Sequence, residues 1–450
     1  MFFFKIVRII IFRCLLTTTI LVVNLNGKKL LIPEAVLEKE ICSVLGVQGH
    51  ELTKDLVARN LISLELNNVN LRDLRGLEVA TNLEVLILRD NLIQDLTPIS
   101  KLPKLRKLDL TGNRIQSLSS LTQFPFAETK SRILEIQNTL KQPNLSDDFK
   151  ASLILEISEL SEKFKLTNTS LIELNLANNR LLGISGIEMF NGISWLNLSN
   201  NSLIDLEGLS NLKSLKTLYL QKNQLGRVEE YEDVNRNKEY DLGEPIVDQS
   251  GNGKRDTNPL VEIKSLPKLR YLYLYDNMIK TFTGINDLPV ISVLLLSGNS
   301  IETIREIKNL SSLERLSLNS NFIYDLSGLQ DLINLKHLDL TENRICDLRP
   351  VSSLKRLKEL RLQSNHISDI SPLSSLQYLE TLSLSKNLIY DPYPINNFKS
   401  LRILKLSENS IDIENPRFES MILAFKNSGC STDLRNQNER SFALENLVLS

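Results

Sequence analysis

Apolar and polar residues alternate in short stretches along most of this chain, and each stretch ends in a polar turn. LRKLDLTGNRI begins at Leu105, and the similar stretches LKHLDLTENRI, LKELRLQSNHI and LETLSLSKNLI begin at Leu335, Leu357 and Leu379, in steps of 22 residues. Alternation of this kind predicts a short strand with one buried face. A fixed period predicts a solenoid, in which every coil adds one strand to a curved parallel sheet.

The same frame fits thirteen coils, whose first residues are Leu61, Leu83, Leu105, Leu171, Ile193, Leu215, Leu269, Ile291, Leu313, Leu335, Leu357, Leu379 and Leu401. The ninth position is Val69 in the first coil and asparagine in the other twelve: Asn91, Asn113, Asn179, Asn201, Asn223, Asn277, Asn299, Asn321, Asn343, Asn365, Asn387 and Asn409. A side-chain amide can bond the backbone of neighbouring turns. The stack therefore predicts an asparagine ladder that satisfies buried peptide groups.

Both ends of such a solenoid need a cap, because the first and last coils would otherwise expose their apolar sides. Apolar residues at helical spacing predict a helix over Ala35–Leu45 that ends at Gly46. At the other end, RFESMILAFKNSG predicts a closing helix, followed by a polar tail that begins STDLRNQNERS. The apolar side of this helix would carry Phe418, Met421, Ile422 and Phe425.

A first insertion interrupts the period at residues 122–170 and predicts a helical hairpin. Apolar residues suggest two helices, the first from Ile133, Leu134, Ile136 and Leu140, and the second from Phe149, Leu153, Leu155, Ile157, Leu160 and Phe164. Ser146 is the expected N-cap of the second helix. The hairpin either packs on itself as a decoration or serves as a docking arm for a protein.

A second insertion, residues 229–268, begins with oxygen-bearing side chains at alternate positions. Asp233, Asn235, Asn237, Asp241 and Glu244 match positions 1, 3, 5, 9 and 12 of a calcium loop, and Glu239 would offer its carbonyl. A second loop would use Asp248, Ser250, Asn252, Lys254 through its carbonyl, and Asp256. Lys238 replaces the usual glycine in the first loop, and Pro259 stands at the twelfth place of the second. We predict that one or two Ca²⁺ ions order this insertion, and the alternative is a metal-free loop.

These patterns resemble a known family. Coils such as LEVLILRDNLIQDLTPISKLPK are similar to the 22-residue leucine-rich repeats of bacterial internalin-like proteins. Several coils share an aspartate two places after the turn: Asp73, Asp95, Asp205, Asp325, Asp347, Asp369 and Asp391. The segment from Ile32 to Leu66 also resembles the helical cap of that family, and the calcium loops resemble EF-hand and dockerin loops. The resemblance implies an α/β repeat solenoid shaped as a horseshoe, with a concave parallel sheet.

The N-terminal residues and the charge balance limit the expected cellular location of the protein and the classes of partner that it could bind. Residues 1–27 carry Lys5, Arg8 and Arg13 before a short apolar run, which is typical of a secretory signal, although an uncleaved anchor remains an alternative. Lys and Arg total 53 against 54 for Asp and Glu, so no excess positive charge favours nucleic acid. We expect a secreted or cell-surface protein, or a cytoplasmic one if this segment is not a signal. No membrane contact is expected beyond a possible anchor.

In each coil, positions 3, 5, 7 and 8 are expected to face outward from the concave surface. Most are small and polar, but coils five to eight place a cluster of large side chains there: Trp195, Tyr219, Tyr271, Tyr273, Tyr275, Val293 and Leu295. An exposed aromatic surface usually marks recognition. We predict that this cluster, with Arg315 at its border, binds a partner. The strip beyond it carries Arg315, His337, Asp339, Glu359 and Arg361.

No catalytic motif stands out, so a non-enzymatic binding protein is favoured. The first hypothesis is a protein that binds another protein through its concave face, with Ca²⁺ ordering the neighbouring insertion. One alternative is a carbohydrate-binding adhesin that uses the aromatic cluster, and another is an intracellular scaffold similar to phosphatase regulators. The expected organisation is residues 1–27 signal or anchor, 28–60 cap, 61–121 coils one to three, 122–170 hairpin, 171–228 coils four to six, 229–268 calcium insertion, 269–411 coils seven to thirteen, and 412–450 closing cap and tail.

Overall fold

The computed structural model describes residues 29–120, 125–141, 145–168, 170–227 and 258–437, together with Glu232 and Val234. Within these residues, fourteen strands form one parallel sheet in which every strand pairs with the next one in the sequence. The register is constant from rung to rung, as in Ser63↔Val85 and Val85↔Lys107. The predicted leucine-rich-repeat solenoid is therefore confirmed.

Each strand is three residues long and occupies positions three to five of its coil. The strands are β1 Ser63–Glu65, β2 Val85–Ile87, β3 Lys107–Asp109, β4 Glu173–Asn175, β5 Trp195–Asn197, β6 Thr217–Tyr219, β7 Tyr271–Tyr273, β8 Val293–Leu295, β9 Arg315–Ser317, β10 His337–Asp339, β11 Glu359–Arg361, β12 Thr381–Ser383, β13 Ile403–Lys405 and β14 Ser431–Asp433.

The core follows from the alternation. The central residue of strands β1 to β13 is a leucine, and those in β5, β6 and β7 (Leu196, Leu218 and Leu272) are fully buried. The residues on either side face the concave surface. Because burying a leucine stabilises by roughly 1.5–3 kcal/mol, one row of these side chains along the solenoid supplies a large part of its stability. Each coil contributes to a single continuous core.

The asparagine at position nine joins each coil to the coil before it. In a typical rung, Asn343 Oδ1 accepts a hydrogen bond from the Ile323 amide at 2.9 Å, and Nδ2 donates to the carbonyls of Leu318 and Leu340, both at 3.0 Å. All twelve asparagines accept from an amide and donate to a carbonyl of the preceding coil. Buried peptide groups at the turn are thus satisfied without a second sheet.

Neither insertion interrupts the ladder. Asn179 accepts from the Ile115 amide at 3.0 Å across the first insertion. Asn277 accepts from the Leu225 amide at 3.1 Å across the second. The coils on either side of each insertion are therefore in direct contact.

The residue at position eight has the same backbone conformation throughout the stack. In all thirteen coils this residue has a positive φ, for example Asp90 at 53° and Lys386 at 58°. The strand ends at position five, and the left-handed residue turns the chain so that the following asparagine points inward. Non-glycine residues occupy this conformation at some cost, which the ladder bonds offset.

In the seven coils that carry the shared aspartate, its side chain caps the turn on the far side of the coil. Asp347 Oδ1 accepts from the Arg349 amide at 2.9 Å, and Asp325 Oδ1 accepts from the Ser327 amide at 2.8 Å. A side-chain hydrogen bond from Arg349 lowers the pKa of Asp347 below its ordinary value. The backbone hydrogen bond from Ser327 does the same for the pKa of Asp325. The family pattern therefore corresponds to a local backbone need.

The N-terminal cap consists of two helices, α1 (Ala35–Leu45) and α2 (Lys54–Asn60). Helix α1 has the predicted bounds and ends in the left-handed residue Gly46, with φ 69°. Thr53 caps α2 by accepting from the Leu56 amide at 3.3 Å. The buried residues of α1 are Leu37 and Ile41, which cover the open end of the first coil.

The first insertion contains helices α3 (Pro125–Leu140) and α4 (Asp147–Asn168), which pack against each other. The predicted helical hairpin is present. Leu153 and Ile136 are buried, whereas Phe149 and Leu155 are 48% and 62% exposed. A two-helix hairpin buries only the stripe that faces its partner helix.

The C-terminal end differs from the prediction of a polar tail. Helix α5 (Pro416–Asn427) closes the thirteenth coil with the predicted apolar side, but the chain then returns to the sheet as β14. Gln437 takes the ladder position, donating to the Leu406 carbonyl at 2.9 Å and accepting from the Ile411 amide at 3.2 Å. A fourteenth coil was missed because it has Thr432 where the others have a strand leucine.

The second insertion ends earlier than predicted. Pro259–Ser265 forms a 3₁₀ helix of the sixth coil itself, with Leu260 and Ile263 buried in the core. Asn258 caps this helix by accepting from the Leu260 amide at 3.1 Å. The proline was assigned to the end of a calcium loop, but it occupies the first turn of a helix, where its missing N–H costs nothing.

Close packing of the coils depends on glycine at one turn of the ninth coil. Gly328 has φ 118°, and a Cβ there would lie 2.4 Å from the Ile304 carbonyl oxygen of the preceding coil. Only glycine allows both the conformation and this approach.

Among the described residues, no helix combines the length and the apolar character required to cross a membrane.

Candidate functional site on the concave face

Two rows of side chains cross the middle of the concave sheet, because consecutive strands are in register. The third position of coils five to eight contributes Trp195, Thr217, Tyr271 and Val293, and the fifth contributes Asn197, Tyr219, Tyr273 and Leu295. Neighbouring strands lie about 4.8 Å apart, so side chains in one row are in contact range. The aromatic patch, defined as Trp195, Tyr219, Tyr271, Tyr273, Tyr275, Val293 and Leu295, is thus one continuous surface.

The rings of the patch hold one another in place. Tyr219 and Tyr273 stack at a centroid distance of 4.3 Å and an interplanar angle of 8°. Trp195 lies 5.3 Å from Tyr219 at 54°, diagonally across the two rows. Such contacts contribute about 0.5–1.5 kcal/mol per pair beyond the area buried. The patch is therefore preorganised before any partner arrives.

The patch remains accessible to a partner although its rings touch. Tyr271 is 39% exposed, and Trp195, Tyr219, Tyr273 and Tyr275 are half-buried. Burial raises the pKa of Tyr273 above its ordinary value, and the neighbouring Tyr219 adds to the shift. The tyrosines present rings and hydroxyls, which suit contact with apolar groups that also offer hydrogen bonds.

A charged network borders the C-terminal side of the patch. His337 Nδ1 lies 2.9 Å from Glu359, and Arg361 lies 3.8 Å from Asp339. Burial acts to raise the pKa of Glu359, but the hydrogen bond from His337 and the charge of Arg361 outweigh it, so this pKa lies below its ordinary value. Together with Leu295 and Arg315, these side chains line a shallow cavity of about 210 Å³.

A second charged wall borders the N-terminal side and was missed by sequence reasoning. Arg89 pairs with the buried carboxylate of Asp109 at 2.8 Å, and Lys107 pairs with Glu173 at 2.7 Å. These side chains and Trp195 surround a cavity of about 210 Å³. The third, fifth and seventh positions of coils two to four would have identified this wall, because the same register applies to all coils.

The predicted metal ligands, Asp233 to Asp256, lie outside the described residues. Between 29 and 227 and from 258 to 437, as far as the structure describes them, no three His, Cys, Asp or Glu side chains approach closely enough to hold a metal ion. The insertion joins the solenoid between β6 and β7, the two strands that carry Tyr219 and Tyr273. Its ends are therefore close in sequence to the aromatic patch.

Comparison with known proteins agrees with this architecture. The family model described as leucine rich repeats in two copies matches residues 81–123, 311–354, 333–375 and 355–391. No curated protein matches the chain.

Solved structures of bacterial repeat proteins are similar over most of the chain. An internalin (inlF) from Listeria monocytogenes has a TM-score of 0.61 and 21% identity, over 91% of this chain and 90% of that one. A leucine-rich-repeat protein from Leptospira interrogans has a TM-score of 0.58 and 24% identity, over 85% of each chain. The chain contains leucine-rich repeats, and its fold is a leucine-rich-repeat solenoid similar to that of the internalin.

Proposed function

We propose that this chain is a non-enzymatic binding protein that captures a protein partner on its concave face and acts outside the cytoplasm. The aromatic patch is the observation that carries this proposal. Aromatic side chains dominate the binding energy of protein interfaces, especially at the centre of a contact surrounded by polar groups. Here the patch lies between two charged walls, which is the same arrangement.

The experiment is a quantitative crosslinking pull-down with the wild type and three variants. Trp195→Ala and Tyr273→Ala should reduce capture by roughly 30-fold or more, because truncating a central aromatic residue costs about 2 kcal/mol or more of binding energy. Tyr378→Ala is the matched control, since this tyrosine is 67% exposed and lies outside the patch. Equal capture by all four proteins, with unchanged melting temperatures, would remove the proposal.

Binding to saccharides is the second candidate. The cavity beside Trp195 combines an aromatic wall with carboxylate, amide and guanidinium groups, which could also hold a sugar ring. A glycan array probed with the wild type and with Trp195→Ala separates the two candidates. Trp195-dependent glycan signals without protein capture would favour the adhesin.

Calcium is proposed as the ligand of the insertion. Oxygen-bearing side chains at alternate positions are the ligands that Ca²⁺ prefers, and the spacing suits an affinity on the order of 10⁻⁴ to 10⁻³ M. Titration calorimetry of the metal-free protein should give heat, and the melting temperature should rise at millimolar Ca²⁺. Asp241→Ala should weaken this effect and Asp331→Ala, an exposed aspartate elsewhere, should not. Absence of both heat and stabilisation in the wild type would contradict the proposal.

A further inference from the structure

Arg315 is an exposed cation at the border of the aromatic patch. It begins β9, and its rung neighbours are Val293 on β8 and His337 on β10. Among the described residues, no carboxylate lies within ion-pair distance of 4.0 Å of its guanidinium, although Glu359, two strands away, is near enough to experience its charge. The cavity that it lines also contains Leu295, a member of the patch. Arg315 therefore places five hydrogen-bond donors beside an apolar surface.

Lys216 and Arg270, at the second position of their coils, also lack an ion pair among the described residues. At the third, fifth and seventh positions of coils two to eleven, which face the concave surface, every described arginine and lysine except Arg315 has a carboxylate partner. Arg89 is paired with Asp109 and Lys107 with Glu173 on the N-terminal wall. On the C-terminal side, Arg361 is 3.8 Å from Asp339 and also contacts Glu359, and His337 bonds the same Glu359. These pairs are satisfied within the chain, whereas the Arg315 guanidinium is available to a group from outside.

The aromatic patch and Arg315 are separated by a distance that a short peptide can span. Tyr273 lies on β7 and Arg315 on β9, two rungs apart, which corresponds to about 10 Å along the sheet. An extended chain advances about 3.3 Å per residue, so residues about three positions apart match this spacing. Carboxylates form short, bidentate hydrogen bonds with arginine, which makes an acidic side chain the natural complement.

We infer that the partner presents an extended segment in which an aromatic or large apolar side chain covers Tyr219, Tyr273 and Leu295, and an aspartate or glutamate about three residues away binds Arg315. This inference rests on the proposed function, because it names the chemistry of the segment that the patch would bind. The aromatic residue supplies contact area. The acidic residue selects the direction of the segment, since Arg315, at one end of the patch, is the one described arginine or lysine without an ion pair at the third, fifth and seventh positions of coils two to eleven.

A random-peptide display library selected on purified protein tests the inference. The wild type should enrich peptides with an aromatic or large apolar residue and an acidic residue about three positions apart. Arg315→Glu should enrich lysine or arginine at the acidic position instead. Lys405→Glu is the matched control: this exposed concave residue also lacks an ion pair among the described residues. It lies four rungs farther on, in β13, and should select the same peptides as the wild type.

Titration with a synthetic peptide from the selection measures how much binding is lost in a variant. The signal is the fluorescence of Trp195, the one tryptophan of the chain. Arg315→Glu should weaken binding about tenfold or more, and exchanging the peptide's acidic residue for lysine should restore most of the loss. Identical peptides from the wild type and Arg315→Glu would overturn the inference.

The same selection tests the proposed function separately from this inference. Tyr273→Ala should lose the selected peptides altogether, and retention of the same peptides by that variant would count against the patch itself. If Tyr273→Ala loses binding while Arg315→Glu keeps the wild-type peptides, the patch binds a partner but the acidic residue is not part of the recognition. Enrichment of no common sequence by the wild type would count against both.

Discussion

Replacing Asn343 with alanine should lower the free energy of unfolding by about 3 kcal/mol, because the change leaves a buried amide without a partner. Asn343 is 6% exposed, and its Oδ1 is the acceptor for the Ile323 amide. The carbonyls that it bonds are less affected. The Leu318 carbonyl keeps its bond from Asn321, and the Leu340 carbonyl keeps its bond from Asn365. The orphaned amide is thus the main cost.

Denaturant unfolding measures the stability, and hydrogen exchange shows where it is lost. Because each coil contacts only its neighbours, we expect faster exchange in the coils around Asn343, with little change near the N-terminal cap. Asn211→Ala is the control, since Asn211 is exposed and donates a bond to the Gly208 carbonyl at 3.3 Å. A loss below 1 kcal/mol for Asn343→Ala would mean that water replaces the ladder bond.

Replacing Phe282 with alanine should destabilise the protein by about 3–5 kcal/mol, because it opens a cavity in a close-packed core. Among the residues that the structure describes, Phe282 is the largest fully buried side chain. It belongs to the seventh coil, which also carries Tyr271 and Tyr273. The same variant should therefore weaken partner capture, as the strand beneath the aromatic patch loses its support.

The conservative variant Phe282→Leu tests whether the core requires only the volume of this side chain or also its aromatic ring. Leucine stands at the equivalent position in other coils, for example Leu326 and Leu348, both of which are buried. We expect a cost of about 1.5 kcal/mol or less, since much of the volume is kept. Thermal and denaturant unfolding of both variants measure the difference. Equal losses for alanine and leucine would show that the aromatic ring itself is required.

Much of the fold could be predicted because its signals are local and repeated. The strand leucines, the ladder asparagines and helix α1 each have a short pattern in the sequence. The fourteenth coil lacked that pattern, since Gln437 replaces asparagine and Thr432 replaces leucine. A glutamine can reach the same backbone groups, but no rule of spacing distinguishes it from a polar residue in a tail. The 3₁₀ helix at Pro259 was missed because a calcium-loop frame covered the same residues.

The candidate site was predictable in part. Positions three and five of each coil identify the residues that face the concave surface, which places Trp195, Tyr219 and Tyr273 together. The N-terminal wall follows from the same rule, but its members, such as Asp109, have ordinary polar side chains with no distinctive pattern. Their pairing depends on distances between rungs. Which charges are balanced and which are available to a partner, as Arg315 is, cannot be read from the period.

The sequence by itself determined the coil length, the face that each residue occupies and the row in which it stands. It did so because a 22-residue period and a buried leucine leave only one register for each strand. The tertiary structure decided which side chains within these rows contact one another. Tyr219 stacks on Tyr273 because the sixth and seventh coils close against each other across an insertion, through bonds such as that from Asn277 to the Leu220 carbonyl at 3.0 Å. That closure depends on buried backbone groups finding partners far apart in the chain, which local pattern alone does not encode.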